Sequence, residues 1–133
     1  MDRDTILFVE DNDGIREVWT EYMERHLGWR VVVAYDLGTA SIQMQAQLPR
    51  IRLVICADWM GGRGMNGPDL YQQRSLDLFN HDIPFLLLVT LTAVGFRETM
   101  EAYGMHVLQH LCTLEVLRGK IEELVGLSPE AQR

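Results

Sequence analysis

Apolar runs along this chain alternate with segments whose apolar positions recur at three- and four-residue steps. Ile6-Leu7-Phe8-Val9 is short and continuous, as a strand covered on both faces is. Ile15, Val18, Trp19, Tyr22, Met23 and Leu27 then form a helical stripe. Val31-Val32-Val33-Ala34 predicts a second strand, and Leu37, Ala40, Met44 and Leu48 a second helix that ends before Pro49. A third strand, Leu53 to Ala57, runs into the loop Trp59-Met60-Gly61-Gly62-Arg63-Gly64-Met65-Asn66-Gly67. Pro68 opens a weakly patterned helix carrying Leu70, Tyr71, Leu78 and Phe79. Pro84 to Val89 is the most apolar strand, which suits a strand buried on both faces. Ala93, Phe96, Met100 and Tyr103 predict a helix closed by Gly104, Val107-Leu108 a fifth strand, and Leu114, Leu117, Ile121, Leu124 and Val125 a last helix. Five strand–helix units predict an α/β fold, a five-stranded parallel sheet with helices on both faces. The pattern leaves strand order open.

A length of 133 residues suits one domain, expected over residues 1–127, with 128–133 as a frayed tail. The 47% hydrophobic and 23% charged content is that of a globular chain, and no apolar run approaches a membrane span. Met1-Asp2-Arg3-Asp4 lacks the layout of a secretion signal. A net charge of -7 argues against nonspecific binding to nucleic acid, whose phosphates need a basic footprint. Cys56 and Cys112 sit in apolar, strand-like segments without metal-ligand spacing. They are expected to be reduced core residues, as in a cytoplasmic protein.

The chemistry collects where strands end. Glu10 and Asp11 follow the first strand, Asp58 the third and Thr90 the fourth. Carboxylates brought together repel and raise each other's pKa unless a cation intervenes. A divalent metal at the carboxyl edge of the sheet resolves this, and hard oxygen ligands suit Mg²⁺. Asp58 beside such a metal is a candidate nucleophile toward a phosphoryl group, with the Thr90 hydroxyl placed to hydrogen-bond a phosphoryl oxygen. Other motifs fall short. Asp11-Asn12-Asp13-Gly14 lacks the first and closing ligands of a calcium loop, Gly61-Gly62-Arg63-Gly64 lacks the Lys of a nucleotide loop, and a strand separates His106 from His110.

Ile6-Leu7-Phe8-Val9-Glu10-Asp11, Leu53-Val54-Ile55-Cys56-Ala57-Asp58-Trp59 and Leu88-Val89-Thr90 resemble the receiver domains of two-component response regulators, over roughly residues 4 to 126. The likeness is greatest to single-domain, chemotaxis-type regulators. It implies a flavodoxin-like (βα)₅ receiver fold, Glu10, Asp11, Asp58 and the main-chain carbonyl of Met60 around Mg²⁺, Asp58 as phospho-acceptor and Thr90 as switch hydroxyl. It also implies a histidine kinase or phosphotransfer protein as donor, a downstream protein partner, and no enzyme activity beyond self-phosphorylation and autodephosphorylation of the aspartate.

Two departures stand out. Receivers carry a Lys-Pro pair after strand five, whereas here His110 or Leu111 stands in that place and no Lys precedes Lys120. The aromatic residue expected on strand five is replaced by Val107 or Leu108. His110 offers a positive charge only when protonated. The expected function is therefore a stand-alone receiver with impaired readout. The alternative is a phosphorylation-independent interaction module that presents its last helix, strand five and fourth helix to a partner. A flavodoxin-like cofactor carrier shares the architecture, but Glu10 and Asp11 would repel a phosphate at its first loop.

Overall fold

The computed structural model describes residues 3–58, 67–90, 95–110 and 112–132. Five parallel strands, β1 (Thr5–Val9), β2 (Arg30–Ala34), β3 (Ile51–Ala57), β4 (Phe85–Val89) and β5 (His106–Gln109), form one sheet in the order β2-β1-β3-β4-β5. The expected α/β architecture is the one observed. Every residue of the internal strands β1 and β4 is buried, because helices cover both faces of such a strand. Thr5 is the polar member, and its hydroxyl donates to Asp4 and accepts from Arg30.

Among the described residues the helices are α1 (Asp13–Arg25), α2 (Leu37–Gln47), α3 (Gly67–Gln73), α4 (Ser75–Asn80), α5 (Phe96–Ala102) and α6 (Leu114–Val125). Asn12, Asp36 and Thr113 cap α1, α2 and α6 by accepting the backbone N–H of the third residue on. The period-two alternation of the strands divides the core. On one face Trp19 and Met23 of α1 and Leu117 and Ile121 of α6 pack on Ile6, Phe8, Ile55 and Leu88. On the other, Ala40, Met44, Leu70 and Leu78 pack on Leu7, Val9, Val54 and Leu87.

Several expectations need correction. The helix after Pro68 is two short ones, parted at Arg74, whose guanidinium reaches Asp77 and the Ser41 carbonyl on α2. Val18, Phe79 and Tyr103 point to solvent, because each lies one residue, a turn of about 100°, beside the residues that face the core or the end of its helix. Cys112 is half-buried and follows β5 instead of lying in a strand. Ser128, at the start of the expected tail, is held in place. Ser128 is buried, its hydroxyl accepts from Ala131 N–H, and it closes over Gly28, where an added Cβ would stand 2.9 Å from Ser128 Oγ. Asp4, Gly28 and Glu130 line one hollow of about 380 Å³. Ala93 lies outside the described residues.

Gly67 fastens α3 to the sheet. An added Cβ would land on the Leu87 side chain and 2.7 Å from the Ala57 carbonyl oxygen. Backbone cannot yield as a flexible side chain does, so Gly67→Ala is expected to cost about 1–3 kcal/mol as an overpacking change. Urea denaturation measures it, and an unchanged midpoint would show that α3 shifts freely.

Candidate functional site

Helix α1 lies on one face of the sheet and α3 on the other. The chain leaving β1 and the chain leaving β3 therefore diverge, and open α/β sheets bind ligands in the crevice between such strands. Glu10 and Asp11 stand on one side of that crevice and Asp58 on the other.

Asp58 is held by its backbone. Its N–H donates to the Leu88 carbonyl at 2.8 Å and its carbonyl accepts from Gly67 N–H at 3.2 Å, so both ends of the intervening loop are tied to one residue. Its carboxylate is held more loosely. Thr90 donates to it twice, from the hydroxyl and from the backbone N–H, each at 3.3 Å, long for bonds of these kinds. Gln109 in turn donates its side-chain amide to the Thr90 carbonyl.

Glu10 is the opposite case. It is 1% exposed, and both of its oxygens are engaged. His110 Nε2 donates to Oε1 at 2.7 Å and Asn12 N–H to Oε2 at 3.1 Å. Arg16 donates to the Glu10 main-chain carbonyl. Burial alone would push the Glu10 carboxyl up, but the hydrogen bonds from His110 and Asn12 outweigh it and hold the group below its usual value of 4.5. The bond to Glu10 raises His110 above 6.5 against the opposing effect of burial, and the charges of Glu10, Asp58 and Asp11 raise it further. His110 is thus paired with Glu10, with its ring tilted against Trp19 at 6.2 Å.

Glu10, Asp11, Asp58, Thr90 and His110 thus share one edge, as expected. Met60, the residue implied to lend a carbonyl, lies outside the described residues, as do Trp59 and Leu111. Among the described residues no three His, Cys, Asp or Glu side chains stand at metal-ligand spacing. The donor chemistry nevertheless fits Mg²⁺, which accepts one or two carboxylates and keeps several waters. Asp11 and Asp58 would be the two to hold it, since both oxygens of Glu10 already accept hydrogen bonds. Burial, then the charges of Glu10 and Asp58, push the Cys56 thiol far up, so it stays a neutral core group. The buried Glu10–His110 pair is what sequence reasoning missed. Its members are 100 residues apart, and the one signal was a His where a Lys is expected.

With this geometry the chain is similar to the non-phosphorylated HemR receiver domain of Leptospira biflexa, at 23% identity over 93% of this chain and 95% of that one, with a TM-score of 0.79. It is similar to the chemotaxis protein CheY4 of Vibrio cholerae, at 22% identity over 90% and 97%, with a TM-score of 0.77. A third likeness is to the receiver domain of the hybrid histidine kinase CckA, at 24% identity over 91% and 98%, with a TM-score of 0.73. This is the receiver-domain fold. At these identities the likeness establishes the fold alone. No protein-family model matches the chain, and no curated protein matches it. Within the receiver fold, no helix among the described residues is long and apolar enough to cross a membrane.

Proposed function

We propose that this chain is a receiver of two-component phosphorelay signalling that takes a phosphoryl group onto Asp58 from a histidine kinase or phosphotransfer protein. The observation that carries this is Asp58 itself. It stands at the carboxyl end of a central strand, lightly held by the two Thr90 donors, across the crevice from Asp11. Mg²⁺, held by Asp11 and Asp58, supplies positive charge that offsets repulsion between the carboxylates and the incoming phosphoryl oxygens. An Asp58 oxygen attacks the phosphorus, the donor's bond to phosphorus breaks, and the donor group leaves with that electron pair. The Thr90 hydroxyl and N–H are then free to turn from carboxylate to phosphoryl oxygens. A downstream protein would read the outcome.

The second reading, a module whose contacts ignore phosphorylation, is favoured by one specific feature. His110 is committed to Glu10 in a short, buried bond, and a ligand moves a two-state element only through differential contacts. We expect a beryllofluoride mimic with Mg²⁺ to shift the amide signals of Asp58 and Thr90 while those of β5 and α5 stay in place. A partner whose affinity rises about tenfold or more on phosphorylation, some 1.4 kcal/mol of coupling, would restore an ordinary switching receiver.

A further inference from the structure

The strand beside Thr90 aims it. A planar trans peptide carries its C=O and its N–H on opposite sides. In the peptide that joins Val89 to Thr90, the carbonyl accepts from His110 N–H at the end of β5, at 2.7 Å. The N–H of the same peptide donates to the Asp58 carboxylate at 3.3 Å. The Thr90 carbonyl, one peptide on, accepts the side-chain amide of Gln109, also at 3.3 Å. Both peptides that flank the Thr90 Cα are therefore fastened to two consecutive residues of one segment. Holding both planes sets φ and ψ of Thr90, and the backbone angles in turn limit which rotamers place its hydroxyl on Asp58.

We propose, on the reading of Asp58 as phospho-acceptor, that Gln109 is a positioning residue of the transfer site. It holds Thr90 so that its hydroxyl faces Asp58, where the phosphoryl group arrives.

Two features single out Gln109 for this role. Its base is anchored. Gln109 stands opposite Val89 in the register of β4 and β5. The next residue, His110, is held twice, by its backbone N–H to Val89 and by its ring to the buried Glu10. A side chain rising from so fixed a point acts as a tether. Its packing, in contrast, is slight. Gln109 is exposed at the end of an edge strand and belongs to neither half of the core. Substitution at such a position barely moves stability, so loss of its amide is felt at Thr90.

The test follows the rate at which the full chain gains a phosphoryl group from acetyl phosphate with Mg²⁺, by mass spectrometry. Gln109→Met keeps the length of the side chain and removes its donor. It should slow uptake about fivefold, the scale of one hydrogen bond, and leave the urea midpoint where it is. Thr90→Ala loses the hydroxyl itself, so adding Gln109→Met to it should change the rate little further, as effects routed through one group do not add. In the unphosphorylated Gln109→Met chain, the three-bond couplings of Thr90 should move from one rotamer toward an average of several. Losses that multiply fully in the double variant would overturn the proposal. So would a Gln109→Met chain with an unchanged rate, unchanged Thr90 couplings or a fallen urea midpoint. A parent that takes up no phosphoryl group would overturn the reading of Asp58 and this proposal with it, whereas a parent labelled no faster than Gln109→Met overturns the proposal alone.

Discussion

Replacing Asp58 by Asn is expected to abolish phosphoryl uptake altogether while leaving the fold and its stability close to those of the parent. The substitution removes the nucleophilic oxygen and the charge but keeps the shape. The amide oxygen of the new side chain still accepts from Thr90, and the bonds to Leu88 and Gly67 belong to the main chain. Mass spectrometry after exposure to a small phosphodonor with Mg²⁺ reads the result, against thermal denaturation of both proteins. The parent should gain the mass of one phosphoryl group and the variant none. Equal labelling of the two would move the acceptor elsewhere, with Asp13 as the next carboxylate to test. An unlabelled parent that nevertheless binds Mg²⁺ would favour the interaction module over the phospho-receiver.

The largest stability effect is expected from His110→Ala. It removes the 2.7 Å partner of a carboxylate that is 1% exposed and leaves that buried group with the Asn12 N–H bond, and breaking a buried pair in this way typically costs about 3–5 kcal/mol. Adding Glu10→Gln should recover more than half of the loss, because Gln keeps an acceptor for Asn12 N–H and leaves no charge to bury. The pH dependence is a sharper signature than the size of the loss. His110 is raised above 6.5 in the folded chain, so its contribution is complete below about 6.5 and disappears as pH rises through the folded value. Glu10 is depressed below 4.5, so its contribution is complete above about 4.5 and disappears as pH falls through the folded value. The pair therefore stabilises the parent fully between those limits. In His110→Ala burial of Glu10 is opposed by the Asn12 bond without that of His110, so the stability lost on acidification should be smaller in the variant than in the parent. Urea denaturation from about pH 2.5 to 8.5, roughly two units either side of these usual values, separates the outcomes. Parallel profiles for parent and variant would mean that the His110–Glu10 bond is incidental.

Much of this architecture was legible because strand and helix periods differ so clearly. The continuous apolar runs of β1, β3 and β4 could only be strands buried on both faces, and acids placed directly after them had to stand at one edge. The order of strands was not legible, since pairing between β1 and β3 depends on contacts far apart in sequence. Exposure of Phe79 was hidden for another reason. Leu78 and Phe79 are adjacent and equally apolar, and only the seating of α4 on Ile83 and Phe85 decides which one faces inward. The pairing of His110 with Glu10 was the deepest gap. Reasoning from the missing Lys looked for what His110 could offer to a phosphoryl group at Asp58, whereas the nearer buried carboxylate was the stronger claim on its proton.

The buried Ser128 and its seat over Gly28 carry a consequence for protein engineering. Because Asp4 and Glu130 border the same hollow, the two ends of the described chain lie near enough to be joined by a short flexible linker, as domain termini often do. The polypeptide could then be reopened in an exposed connection, such as the turn around His81 and Asp82 between α4 and β4. A permuted chain of that kind would carry its new ends beside Phe79, at the edge remote from Asp58, so that a fused reporter would crowd one surface and leave the other free.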